Sequence, residues 1–281
     1  MQPVIITTDS TADLPQELLD RYNIHVIPLR ITLGEESYFD GVDFTVDDLY
    51  ARYHKDGSLP KPSAPNIVDF YDFFKQFTDQ GYEVVHLDIS SELSNSYNAA
   101  ALAGAELPGV YVVDSRMLSV GIGVLAIEGA ECRDRGMSAA DIAARLRELT
   151  AKTSVTFMLD TLDFIKAGGR CSGLKAFGAN LLHIKPCLEM RGGKIEVGKK
   201  YRGHIEKAYM KYVDDLLTGR KVRKEHVFFV ESGEHDEELL QRLMDRVREL
   251  TGCRQLHRAK AGCTISSHCG PRAIGVMFID E

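Results

Sequence analysis

The chain has 281 residues, 44% of them hydrophobic and 27% charged, and a formal net charge of −7. That length exceeds one ordinary core and suits two domains, and the composition is that of a folded chain. An acidic chain without a basic block excludes the phosphate-neutralising surface that nucleic-acid binding requires.

The opening Met1-Gln2-Pro3-Val4-Ile5 has neither a basic leader nor a long apolar stretch, and no later run approaches the ~20 apolar residues of a membrane helix. A cytoplasmic setting is expected. Cys132, Cys171, Cys187, Cys253, Cys263 and Cys269 form no CxxC pair and read as reduced, separate thiols. Cys263, His268 and Cys269 cluster without a second ligand pair, so neither a metal nor a cofactor is expected.

Val4 to Thr8 is a β-branched run, and Asp9-Ser10-Thr11-Ala12-Asp13-Leu14-Pro15 after it leads into a helix through Leu18 and Leu19. His25 to Leu33 alternates as a strand, with Glu36 to Phe44 pairing to it around a turn at Gly41. Thr45-Val46-Asp47-Asp48 opens a helix as an acidic capping-box variant. Pro60 to Pro65 cannot be helical and leads into a helix from Ile67, which sets Ser63 on a loop just before that helix.

The unit then repeats: strand from Glu83 to Ile89, loop from Ser90 to Ser96, Ala-rich helix from Tyr97 to Glu106, strand from Val110 to Asp114. Strands alternating with helices imply βαβ crossovers and a parallel sheet with helices on its faces, which binds ligands at the carboxyl ends of its strands. Ser138-Ala139-Ala140-Asp141 caps a helix reaching about Lys152, where the domain boundary falls: residues 1–152 form an N-terminal α/β domain and 153–281 a C-terminal one. In the latter, strands are predicted at Thr156 to Leu159, Ile195 to Val197, Val227 to Val230 and Ile274 to Ile279. Helices are predicted at Thr161 to Lys166 and about Asp236 to Thr251.

Gly121-Ile122-Gly123-Val124-Leu125-Ala126 has the GxGxxA form of a dinucleotide fingerprint, but Ser115 to Val120 separate it from the preceding strand, so its glycines read as close-packing positions in a helix. No GxSxG nucleophile elbow occurs. A Ser94–His268–Asp9 triad stays open as a hydrolase alternative, because triads are defined by geometry rather than order. The loop Ser90-Ser91-Glu92-Leu93-Ser94-Asn95-Ser96 reads plainly as a helix cap, and equally as an anion site at the positive end of a helix. His268, in the turn Ser266-Ser267-His268-Cys269-Gly270-Pro271, reads as a structural loop histidine or as a donor to a carboxylate or phosphate. Arg170 in Gly168-Gly169-Arg170 and Arg202 in Arg202-Gly203 are isolated basic points, solvated or suited to an acid group.

Taken in order along the whole chain, Thr8 to Pro15, Ser63-Ala64-Pro65, Ser90-Ser91-Glu92-Leu93-Ser94 with Tyr97, Val113-Asp114-Ser115, Gly168-Gly169-Arg170, Ile184-Lys185-Pro186, Arg202-Gly203 and His268-Cys269-Gly270-Pro271 resemble the DegV-like fatty-acid-binding family. The resemblance implies two α/β domains, an acyl tunnel, and a carboxylate site near the domain interface. It implies a carrier rather than an enzyme, one that binds a long-chain acid such as palmitate or oleate and presents it to a separate ATP-dependent fatty-acid kinase, which forms the acyl phosphate. Ser63 and Ser94 match the carboxylate-contacting hydroxyls and His268 the motif histidine, while Arg170 and Arg202 match basic positions tied to the head group and the kinase. Pro62 stands where the family usually has Thr, Asn95-Ser96 replace a Gly-Thr pair, and Arg272 replaces a common Gly; Asn95 then offers a substitute donor. The remaining alternative is a binder of another small anion, a sugar or a nucleotide, which the fold class alone leaves open.

Overall fold

The computed structural model describes residues 2–171 and 184–281. Its first half runs β1 (Val4–Asp9), α1 (Gln16–Tyr22), β2 (Ile24–Ile27), β3 (Arg30–Leu33), β4 (Glu36–Phe39), α2 (Val46–Asp56), β5 (Lys61–Ser63), α3 (Ile67–Thr78), β6 (Glu83–Asp88), α4 (Ser96–Ala105), β7 (Val110–Asp114), α5 (Val120–Asp134) and α6 (Ala139–Thr150). The second half runs β8 (Thr153–Met158), α7 (Asp163–Gly168), β9 (Ile184–Arg191), β10 (Lys194–Arg202), α8 (Ile205–Leu217), β11 (Val227–Glu231), α9 (Glu237–Thr251), β12 (Leu256–Lys260), α10 (Cys263–Cys269) and β13 (Ile274–Ile279).

The strands form three sheets. β2-β1-β6-β7 is wholly parallel, as the alternation of strands and helices predicts. Every residue of β1 is buried, the state a central strand covered on both faces requires. The order β10-β9-β8-β13-β11-β12 makes a six-stranded sheet whose only parallel pair among the described strands is β11 with β12. A small antiparallel sheet, β4-β3-β5, stands apart.

Helix starts follow the capping chemistry. Thr45 and Asp48 form a reciprocal capping box at α2, and Asn66 with Asp69 does the same at α3. Phe70, Phe74 and Phe77 of α3 recur at helical spacing and are all buried. The glycines of the GxGxxA segment lie inside α5, where a Cβ on Gly121 would come 2.3 Å from Val155 Cγ2 and one on Gly123 2.7 Å from Leu14 Cδ2. They are close-packing positions, and α5 is buried in a core that joins side chains of both large sheets.

Several elements differ from expectation. The β3–β4 hairpin turns at Gly34-Glu35, with Gly34 at φ +63, and Gly41 turns the chain only after β4 has ended. Ser63 sits in β5, paired with Arg30, and not on a free loop. β9, β12, α8 and α10 were not predicted, and His268 belongs to α10 rather than to a turn. Arg272 takes a positive φ of 59, a conformation that glycine adopts more readily than a residue with a side chain.

Short as it is, α10 is anchored by two aspartates distant in sequence. Asp40 accepts the Cys263 and Thr264 amide hydrogens at 2.8 and 3.0 Å, and Asp13 accepts that of Gly262 at 2.8 Å. These satisfy amides that a helix start leaves without intrahelical partners. Asp40→Ala should lower the unfolding free energy by ~3 kcal/mol, the cost of orphaning buried donors, measured by chemical denaturation; a change below ~0.5 kcal/mol would contradict this account of α10.

Candidate functional site

A cavity of about 590 Å³ opens where the carboxyl edge of the parallel sheet meets the six-stranded sheet. Its apolar wall draws on Leu29, Ile89, Leu118, Phe157, Ile195 and Met277, from both large sheets and the segments flanking them. Its volume lies within the ~300–1,000 Å³ typical of small-molecule sites. Polar groups also line it, among them Ser63 and Asn95, both exposed, Ser94 and His268, both half-buried, exposed Arg170, and the acidic Glu92 and Glu231.

The loop carrying Ser94 is held by the aspartates that end three parallel strands. Asp9 accepts the Ile89 amide hydrogen at 3.0 Å, Asp114 accepts the Ser91 hydroxyl at 2.6 Å, and Asp88 accepts the Ser96 hydroxyl at 2.8 Å. From the other sheet the β9–β10 hairpin touches the same loop, because Ser90 donates to the Gly193 carbonyl at 2.7 Å. Ser94 Oγ accepts the Ser96 amide hydrogen at 3.2 Å, which leaves its own proton available to a ligand. Asn98 donates to Asn95 Oδ1 at 3.1 Å, so the Asn95 amide nitrogen keeps its donors. Both stand at the start of α4, where the first amides have no intrahelical acceptor and favour negative charge.

His268 enters from the other side on α10, one turn beyond Thr264, and the cavity-lining residues of that helix, Thr264, Ile265, His268 and Cys269, share one face. Burial, reinforced by the Arg170 guanidinium, lowers the His268 pKa to about 4, so the ring is neutral near pH 7. Arg170 bends back to donate to the Gly168 carbonyl at 2.6 Å. Cys269 also lines the cavity, but burial and then the Asp13 carboxylate push its thiol up to about 12, so it is no nucleophile.

Five of the six residues singled out from sequence therefore meet at this cavity. Arg202 does not: it lies exposed at the end of β10, opposite Ile184, and is not among the lining residues. The triad reading also fails on geometry. Asp9 is committed to Ile89 and Thr11, and His268 Nδ1 has no hydrogen-bond partner among the described residues, so no carboxylate orients the ring. Sequence reasoning missed Thr264, Ser119 and Ser232, all of which line the cavity. Thr264 was legible in principle, four residues before His268, once 263–269 is read as helix. Ser119 was not, since its place depends on a hydroxyl bond to Asp13 at 2.6 Å. No group of three or more His, Cys, Asp or Glu that could hold a metal ion occurs among the described residues, and no helix there is long and apolar enough to cross a membrane.

A family model described as "uncharacterised protein, DegV family" matches residues 3–281. The chain belongs to the DegV family. A DegV domain-containing protein of Clostridium perfringens is 31% identical over 285 residues, covering 100% of both chains. Among solved structures, a DegV family protein from Thermus thermophilus described by its fatty acid binding superposes with a TM-score of 0.88 at 32% identity, covering 100% of both. A stearic acid-binding protein from Eubacterium ventriosum superposes at 0.84 and 27% identity, covering 100% of this chain and 98% of its own. The DegV fold, a parallel sheet flanked by helices beside a second α/β layer, is thus shared over the full length.

The depressed His268 pKa has a direct linkage consequence. The unfolded ring takes up a proton near its ordinary 6.5 and the folded ring only near 4, so this residue's contribution to stability is lost as pH falls from 6.5 to 4. Relative to His268→Gln, which does not titrate, the wild-type chain should lose ~2–3 kcal/mol across that window in denaturant titrations. A pH-independent difference would refute the buried neutral ring.

Proposed function

We propose that this DegV family member binds one long-chain fatty acid, with the acyl chain in the cavity and the carboxylate at its polar end. The observation that carries the reading is an apolar cavity whose lining also holds the donors Ser94 and Asn95, at the start of α4, and His268. The fatty acids described for the Thermus thermophilus and Eubacterium ventriosum relatives support it. Burying roughly fourteen methylenes at ~0.8 kcal/mol each supplies on the order of 11 kcal/mol before the costs of association. A head-group hydrogen bond adds only ~0.5–3 kcal/mol, so the donors select for an acid and set its register.

In this reading the protein is a carrier and not an enzyme. Ser63 and Ser94 hold the carboxyl oxygens, Asn95 supplies a donor in place of the threonine that Pro62 displaces, and His268 completes the set. The carboxylate is presented to a separate ATP-dependent fatty-acid kinase, and the acyl phosphate forms there. The exposure of Ser63, Asn95 and Arg170 at the polar end supports access for such a partner. Arg202, outside the cavity, belongs in this scheme to the partner surface and not to the ligand. Two domains meeting at about 152–153 fit the distribution of strands, since the parallel sheet ends at Asp114 and the six-stranded sheet begins at Thr153. A cytoplasmic setting accords with six cysteines that form no disulfide.

Native mass spectrometry of the purified protein, followed by organic extraction, should find one fatty acid per chain. Ser94→Ala should weaken oleate binding about tenfold, the equivalent of one lost hydrogen bond. Protein that carries no acid and binds neither oleate nor palmitate, while another small anion stabilises it thermally, would replace this reading with that of a different anion binder.

A further inference from the structure

The contact between Gly168, at the end of α7, and His268, on α10, fixes more than packing. A Cβ built on Gly168 would lie 1.9 Å from His268 Nδ1, 2.7 Å from Cε1 and 3.1 Å from Cγ. These three distances put that point in the plane of the imidazole, on the outward side of Nδ1, where the ring nitrogen carries either its lone pair or its proton. In glycine a Cα hydrogen points along that direction. A lone pair on Nδ1 meets this hydrogen favourably, as a weak C–H contact, whereas a proton on Nδ1 would point into the space it fills. Nδ1 is also buried and has no hydrogen-bond partner among the described residues, so nothing there rewards a proton. Nε2 is then the ring nitrogen left to offer a proton to a ligand in the cavity that His268 lines.

We infer that Gly168 locks His268 as the neutral Nε2–H tautomer, so that His268 meets the ligand only as a hydrogen-bond donor and not as a base or an imidazolium. The charged groups around α10 agree. Arg170, just past α7, opposes a positive ring, while Asp13 and Asp40 are spent on the amides of Gly262, Cys263 and Thr264 at the far end of the helix. Gly168 is thus a positioning residue that acts through His268. The chemical class it selects is a group that accepts from a neutral N–H, a carboxylate or acyl oxygen. The inference rests on the acyl-acid reading of the cavity for its ligand, but its tautomer does not.

Nitrogen-15 NMR of histidine-labelled, ligand-free protein at neutral pH reads the tautomer directly. Expected are a pyridine-like resonance for His268 Nδ1 and a pyrrole-like one for Nε2. A proton on Nδ1, alone or together with one on Nε2, overturns the inference. The second measurement uses oleate as probe: His268→Gln places an amide N–H near the Nε2 position and His268→Asn near the Nδ1 position. The Asn variant should bind oleate about tenfold more weakly than the Gln variant; equal affinities, or the reverse order, overturn the donor role. If wild-type protein ignores oleate yet shows the Nε2–H pattern, the proposed ligand class fails and the tautomer stands. If oleate binds and Nδ1 carries the proton, the tautomer fails and the ligand class stands.

Discussion

Buried aspartate carboxylates accepting hydrogen bonds from backbone amides and serine hydroxyls are the interaction on which the cavity depends. Asp9, the last residue of β1, and Asp13 just beyond it belong to one short segment, yet they reach Ile89 and Gly262, at the base of the two elements that carry Ser94 and His268. Asp40, Asp88 and the partly buried Asp114 complete the set from three other places in the chain. A carboxylate removed from water without partners would be expensive, and burial does raise the pKa of Asp9, further raised by Asp88, and that of Asp13. The amides gain as well, since loop and helix-start N–H groups that face a cavity have no ladder to join. The segment from Asp9 to Asp13, at the carboxyl end of a parallel strand, is therefore the brace of the site rather than its surface.

With the loop and α10 braced, the chemistry of the cavity is one of donation without reaction. The histidine is neutral and lacks a carboxylate behind it, the nearby thiol stays protonated, and Ser94 uses its lone pair on an amide while keeping its proton for a ligand. In the proposed reading, such an arrangement holds an acid group by several modest bonds and leaves the binding free energy to the apolar wall. Glycines contribute by absence: Gly168 admits the imidazole edge, and Gly193 lets the β9–β10 turn approach Ser90 and Arg116, where a Cβ would fall 2.7 Å from the serine oxygen.

Where the chain spoke locally, sequence reasoning read it correctly. Alternating β-branched runs and helices foretold β1, β6 and β7, a capping box foretold α2, and the spacing between Asp114 and Gly121 pointed away from a dinucleotide loop. It stumbled where local signals were short or went unread. α8 carries Ala208, Tyr209, Tyr212, Val213 and Leu217 at helical spacing, a period that went unassigned. α10 has seven residues, too few to show a period, and β12 is only partly buried.

Sequence by itself determined the fold family and the parallel first sheet, and it singled out polar residues that line the cavity, because periodicity, caps and ordered motifs are properties of neighbouring residues. Only the tertiary structure decided which of those residues meet. It brought Ser63, Ser94, Asn95, Arg170 and His268 to one opening, left Arg202 outside, and turned Asp9 and Asp13 into supports. It also set the charge state of His268, for burial and the Arg170 guanidinium act on that ring, the latter from a segment about a hundred residues away that only folding makes a neighbour.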